Sequence, residues 1–278
     1  MAEYDQSIQQ QYSQTDLSGK ILAALQSAGK DIDALTREDL SGFDQFHVGG
    51  IAETRNLAQL AGLQAGMQVL DVGSGLGGPA RTLAAEFGCT VTGIDMTEEY
   101  VRVAQMLTDR VGLAERIRFE QGDATDLPFE DDRFDVVWTQ FTGMNIADKA
   151  KLYDQFRRVL KNGGRLAIHE VMSGDGRELH YPVFWANDAS IDFRQSPDHI
   201  RQLLAERGFH QVVWKELNAS SIEFFQNMLT RMKQQTGAQS LGFNVFIVGS
   251  VPEKATHLLH NLEEKRVTVI QAVFQLTK

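Results

Sequence analysis

From Gln68 onward, short apolar runs alternate with longer stretches whose apolar residues recur at helical spacing. "QVLDV" leads into a helical pattern over Pro79–Glu86. "TVTGID" leads into another over Glu98–Arg110, with Thr97 placed to cap it. "IRFEQGD" and "RFDVVWTQ" are the third and fourth strand patterns, and a helix over Lys149–Leu160 ends at "NGG". "GRLAIHEV" reads as the fifth strand, "SPDHIRQLLAERGF" as a capped helix closed by Gly208, and "HQVVWKEL" as the sixth. "RVTVIQAVFQL", β-branched and alternating, is expected to be a last strand hairpinned onto the sixth. Regular strand–helix alternation predicts an α/β fold, a largely parallel sheet with helices on both faces.

Two regions break the repeat. Residues 172–196 form a long connection, of the kind that serves as a lid or binding loop, and it carries Tyr181, Phe184, Trp185 and Phe193. Residues 218–264 read mainly as helices, although "GFNVFIVG" suits either strand or helix. The first 62 residues read as three helices ahead of the sheet.

Hydrophobic residues make up 42% and charged residues 23%, so the chain is globular rather than disordered. A net charge of −10 without clustered Lys and Arg argues against a nucleic-acid partner. No apolar run reaches the roughly 18–20 residues of a membrane span, and the polar, acidic start has no secretory pattern, so a cytoplasmic protein is expected. Cys89 stands alone, which excludes an internal disulfide and leaves a buried, inert thiol as its expected state. His257 and His260, three apart in a polar helix, have no supporting carboxylate or cysteine pattern, so no metal is expected.

The chemistry concentrates at "VLDVGSGLGG". Its spacing Gly73-x-Gly75-x-x-Gly78 satisfies a dinucleotide fingerprint, so a nicotinamide enzyme is one reading. Asp71 argues otherwise. A carboxylate at that strand end repels a pyrophosphate but suits a ligand bearing an ammonium and a sulfonium.

Together "VLDVGSGLGG", "GIDMTEEY", "GDATDLPF" and "FDVVWTQ" resemble the successive motifs of class I S-adenosylmethionine-dependent methyltransferases. The resemblance implies a Rossmann-like seven-stranded sheet with the last strand antiparallel, and S-adenosylmethionine as cofactor. It implies that Gly73, Ser74, Gly75 and Gly77 form the turn over the methionine and ribose, with Asp71 beside them. Asp95 would accept both ribose hydroxyls and Met96 would pack on the adenine. Gly122, Asp123 and Ala124 would meet the adenine edge, and Gln140 would line the methionine end. Read singly, Asp123 is also a turn acid, Met96 a core residue and Asp95 a strand-end acid.

More narrowly, "QQYSQTDLSG", "FDQFHVGG" and "TQFTGMNIADK" resemble the sarcosine/dimethylglycine and phosphoethanolamine N-methyltransferases. That implies an N-terminal helical cover over residues 1–62 on a methyltransferase core over 63–278, with the 172–196 lid and a helical cap insertion over 218–264. It also brings Tyr12, Gln45 and His47 near the reacting centre, although Tyr12 could equally pack a helix and His47 cap a loop. Many relatives carry a histidine where this chain has Asn145, which cannot act as a general base near neutral pH. His169 at the end of the fifth strand is a possible replacement, or a structural residue. Phe141, Tyr181, Phe184 and Trp185 are the acceptor-side candidates.

The expected reaction is methyl transfer to a small-molecule acceptor, with a small amine preferred. The alternatives are C- or O-methylation of an isoprenoid- or polyketide-like metabolite, or a non-methylating cyclase that retains the cofactor. Monomer and homodimer are both compatible with the chain.

Overall fold

The computed structural model describes residues 16–234 and 247–278. Tyr12, and residues 242–246 of the "GFNVFIVG" run, lie outside the described residues. The described residues open with helices α1 (Leu17–Ser27), α2 (Arg37–Leu40) and α3 (Gly50–Leu60). The sheet begins with β1 (Gln68–Val72), α4 (Gly78–Phe87), β2 (Thr90–Asp95), α5 (Glu98–Arg110) and β3 (Ile117–Gln121). It continues through β4 (Phe134–Gln140), α6 (Lys149–Val159), β5 (Leu160–Ser173), α7 (Pro197–Ala205) and β6 (Phe209–Glu216). Among the described residues, helices α8 (Asn218–Gln234) and α9 (Val251–Glu263) precede β7 (Val267–Leu276).

The seven strands lie in the order β3-β2-β1-β4-β5-β7-β6. The first five in the chain run parallel, while β7 is antiparallel to both β5 and β6. β7 therefore pairs with the sixth strand as its alternation predicts, but it also separates β6 from β5. Its burial on nearly every residue follows from packing on both faces, with Ile270, Ala272 and Phe274 in one core, Val273 in the opposite one, and Val267 and Val269 against α8 and α9. Between β1 and β4 the winding reverses direction, and the crevice at the carboxyl ends of these strands is the usual ligand position in open α/β sheets.

Period-two alternation sorts the side chains onto two faces. Leu70 and Val72 join a core with Leu152, Tyr153 and Phe156 of α6 and Ile200 and Leu204 of α7. Val69 joins the opposite core with Leu57 and Ala58 of α3 and Ala80, Leu83 and Ala84 of α4. A third cluster joins the 172–196 connection to α8 and α9 through Trp185, Ile191, Phe225 and Leu258. The fourth packs Leu17, Ile21 and Leu25 of α1 against Val103 and Leu107 of α5.

Several local expectations change. Thr97 makes no side-chain cap; instead its backbone N–H donates to Asp95 Oδ1 at 2.9 Å. β5 starts at Leu160, directly after α6, and runs through Ser173, so Met172 and Ser173 are strand rather than loop. Their backbone is held in the ladder with Thr268 and Val267. Cys89 is buried just before β2, and burial pushes its thiol up to about 11. His257, placed in a helix read as polar, is part-buried with its Nδ1 3.1 Å from the Pro182 carbonyl. Among the described residues no helix is long and apolar enough to cross a membrane, and no group of three His, Cys, Asp or Glu could hold a metal.

Candidate active site

A cavity of about 410 Å³ opens at the carboxyl ends of β1, β2 and β4. One half is polar and built on the glycine turn. Gly73 and Gly75 have φ of +72° and +51°, a region costly to side-chain-bearing residues. A Cβ on Gly75 would meet no atom within 4 Å, so the turn presents open backbone to the cavity. Asp71 and Ser74 line the same wall, and Asp71 Oδ2 and Ser74 Oγ are buried with no partner. Burial, with Asp95 nearby, pushes the Asp71 carboxyl up to about 7. An ammonium at this wall would supply the charge and donors that these atoms lack, which is the fit required of the methionine end of S-adenosylmethionine.

Asp95 sits at the end of β2, as expected, but both its oxygens already hold a backbone N–H. Oδ2 accepts from Gly75 at 2.8 Å and Oδ1 from Thr97 at 2.9 Å. Two carboxylate oxygens offer about four acceptor positions, so a diol can still be received. Burial raises its pKa, opposed by these hydrogen bonds. Met96, Gly122, Asp123 and Ala124 complete this wall. Asp123 also turns its own chain, accepting from Thr125 N at 2.7 Å and Thr125 Oγ1 at 2.9 Å.

Three of the expected site positions behave differently. Gly77 does not line the cavity; it is the left-handed cap of α4, where a Cβ would strike the Phe119 ring at 2.6 Å. Gln45 is buried behind the wall, with Oε1 accepting from Thr54 Oγ1 at 2.9 Å and Nε2 donating to Thr82 Oγ1 at 3.3 Å. Gln140 does line the cavity, but its amide is held from below. Its Oε1 accepts from Trp138 Nε1 at 3.0 Å and its Nε2 faces His169 Nδ1 at 3.1 Å.

The other half of the cavity is aromatic. Phe46, Phe141, Phe184 and Trp185 line it with Met144. Phe224 and Phe225 of α8 and Leu258 of α9 close it. Phe141 follows β4 at φ +53°, a conformation unfavourable for a bulky residue, and its ring meets His169 edge-on at 5.0 Å. Phe184 stacks on Phe225 at 6.0 Å and meets Phe46 edge-on at 6.2 Å. Tyr181 is not at the wall, because its hydroxyl donates to Asp192 Oδ2 at 2.6 Å. Trp185 Nε1 donates to the same carboxylate, and the Arg194 guanidinium lies 5.8 Å over its ring.

Among the proton-handling candidates, His47 lines the cavity and is held neutral, its pKa lowered to about 4 by burial. His169 is wholly buried and absent from this wall; its ring stands 5.3 Å from that of His47. Burial, and then the neighbouring His47, lower its pKa well below the usual value. Asn145 lines the cavity but uses its amide as a strap, donating to the carbonyls of Trp185 and Ile191.

Sequence reading missed Asp44, Tyr100 and the α8 and α9 residues. Asp44 lines the cavity beside the glycine turn, ion-paired through Oδ2 to the buried Arg81 at 2.8 Å, with Oδ1 unpartnered. The adjacent pair Phe224-Phe225 was the available signal for α8.

Residues 63–208 match the family model described as a methyltransferase domain. The chain therefore belongs to that family and carries a methyltransferase domain of the S-adenosylmethionine-dependent class. It is 38% identical over 119 residues to a sterol 24-C-methyltransferase of Gibberella zeae, covering 43% of this chain and 31% of that protein. It is 29% identical over 200 residues to a phosphoethanolamine N-methyltransferase of Triticum aestivum, covering 72% of this chain and 39% of that protein. The chain thus matches well under two thirds of the length of these curated relatives. In fold it is similar to geranyl diphosphate C-methyltransferase of Streptomyces coelicolor A3(2), with a TM-score of 0.71 at 16% identity, covering 99% of this chain and 98% of that one.

Proposed function

We propose that the protein transfers a methyl group from S-adenosylmethionine to a small, mainly apolar acceptor of isoprenoid- or polyketide-like character. The observation that carries this reading is the division of the cavity. The buried Asp71 and half-buried Asp95 line the glycine-turn half, while the far half is walled by Phe141, Met144, Phe184, Trp185, Phe224, Phe225 and Leu258. An aromatic wall draws a substituted ammonium mainly through open ring faces and nearby negative charge. Here the Trp185 ring already carries the Arg194 guanidinium, and Asp192 is spent on Arg194, Tyr181 and Trp185. Burial of apolar surface is the interaction this wall offers most freely. The small-amine acceptor preferred on sequence grounds is thereby less well supported than its alternative.

When bound, the cofactor supplies an activated methyl group on a sulfonium. On this reading Asp71, Ser74 and the open backbone at Gly75 hold its methionine end, Asp95 its ribose, and Met96, Gly122, Asp123 and Ala124 its adenine. Residues 1–62 serve as a cover over the 63–278 core, and the lid and the 218–264 cap exclude water around the acceptor. Alignment and water exclusion are the main contributions required of a protein in a direct displacement. Neutral His47 shapes the wall with its ring, since Nδ1 donates to the Val48 carbonyl at 3.2 Å and Nε2 faces Thr54 Oγ1 at 3.0 Å. His169 behind it, and Gln45 through Thr54, position that ring.

The test is incubation with S-adenosylmethionine and a panel of isoprenoids, polyketide-like phenols and small amines, read by mass spectrometry. An apolar acceptor gaining one methyl, with an equal amount of S-adenosylhomocysteine released, is expected. Methylation confined to amines would overturn the acceptor class. An acceptor rearranged without release of S-adenosylhomocysteine would identify the non-methylating cyclase instead.

A further inference from the structure

Next to the acceptor chamber lies a second cavity of about 170 Å³, and Val48 and Phe224 form walls of both. It is bounded by Glu53 of α3, His169 inside β5, which continues to Ser173, and Ser221 of α8, with Glu223 and Asn227 also on its wall. Three buried polar atoms on these residues have no partner: His169 Nε2, Glu53 Oε2 and Ser221 Oγ. His169 and Ser221 are almost completely buried. Unpartnered polar atoms at this depth are uncommon, and three around one cavity point to something that fills it.

The hydrogen-bonding character of each atom follows from its neighbours. An indole N–H can only donate, so the Trp138 contact identifies the near atom of Gln140 as its carbonyl oxygen. The other end of Gln140 is then its NH2, which donates to His169 Nδ1. Nδ1 is the accepting nitrogen, and the neutral ring carries its proton on Nε2. The cavity thus presents an N–H donor from His169, a carboxylate acceptor from Glu53 and a hydroxyl from Ser221 that does either.

We infer that this cavity is a second subsite, binding a neutral group that both donates and accepts, a hydroxyl or primary carboxamide, borne on the part of the acceptor remote from the reacting atom. A carboxylate or phosphate would meet the charges of Glu53 and Glu223. An ammonium would satisfy Glu53 but leave the His169 N–H facing a cation. The inference rests on the apolar-acceptor reading only for which molecule brings the group, since the donor–acceptor set is a property of the cavity itself.

The test uses the full chain labelled with 13C,15N-histidine and saturated with S-adenosylhomocysteine. The His169 Nε2 resonance, assigned with His169→Gln, is followed during titration with acetamide, acetate and methylammonium. Its one-bond proton coupling should first establish the Nε2–H tautomer. Acetamide should then shift it saturably, at least fivefold more weakly in Ser221→Ala, while acetate and methylammonium leave it unmoved. Glu53→Gln, which replaces an acceptor by an amide that also donates, should admit acetate. An Nδ1–H tautomer, no saturable response to acetamide, or an equal response to all three probes would overturn the subsite, leaving a chamber that holds water only. Methyl transfer is not read, so failure of the acceptor assignment leaves this measurement intact.

Discussion

The side-chain amide of Asn145 donates to the backbone carbonyl of Trp185 at 3.0 Å and to that of Ile191 at 2.9 Å, tying the turn after β4 to the 172–196 connection. No imidazole could make both bonds from one nitrogen, so the departure from the histidine of many relatives has a structural consequence here. It exchanges a proton-handling group for a double strap on the aromatic wall.

Removing the strap should loosen that wall without touching the cofactor half. Asn145→Ala leaves two buried carbonyls unpaired, at about 1–3 kcal/mol for a lost buried partner. A lowered melting temperature is expected, with a raised KM for the acceptor and S-adenosylhomocysteine affinity within about threefold of the parent. Calorimetry and steady-state assays check this, and an unchanged acceptor KM would remove Asn145 from the wall's support.

Cofactor binding should depend on pH through Asp71. Its carboxyl is pushed up to about 7, so it is largely neutral at pH 6, whereas a bound ammonium favours the ionised form. Binding at pH 6 should therefore release a proton, and affinity should fall below pH 7 by up to about tenfold per unit. Titration calorimetry in buffers of different ionisation enthalpy measures that release, and Asp71→Asn should abolish it.

The same shift carries a stability consequence of opposite direction to the binding effect. Because the folded-state pKa lies above the ordinary 3.8, Asp71 favours folding below about pH 4, and this contribution is lost as pH rises through about 7. Ligand-free Asp71→Asn should accordingly be more stable than the parent at pH 8, by about 1–3 kcal/mol. Denaturant unfolding at pH 8 provides the measurement; a less stable variant would contradict the burial argument.

Asp95 joins β2 to the glycine turn through its contacts with Gly75 and Thr97, besides facing the cavity. Asp95→Ala should weaken S-adenosylmethionine binding by about tenfold to a hundredfold, the loss of a charged hydrogen-bond acceptor. Asp95→Asn, which keeps one accepting oxygen, should recover part of it. Equal affinity of Asp95→Ala and the parent would place the ribose elsewhere.

Much of the architecture was legible because it is written in local periodicity. Short apolar runs in "VLDV" and "TVTGID", helical spacing in "EEYVRVAQMLTDR", and the glycines between strand and helix are short-range patterns, set by backbone geometry before any tertiary contact forms. The polar half of the cavity follows, because Asp71, Gly73, Gly75 and Asp95 occupy strand ends whose position is a consequence of the parallel topology. What the chain could not disclose by itself were relationships between segments far apart. Gly77 and Gln45 sit in plausible motifs, yet packing against Phe119 and bonding to Thr82 turn them away from the ligand side. Trp185 and Tyr181 lie in one connection, but Asp192 and Arg194 decide which of their surfaces remain available. His169 is a strand-end histidine in sequence, and only the Gln140 and Trp138 contacts assign its proton to Nε2 and give it a cavity of its own. Spacing determines where a side chain starts; its direction and hydrogen-bond state depend on neighbours that only the folded chain brings within reach.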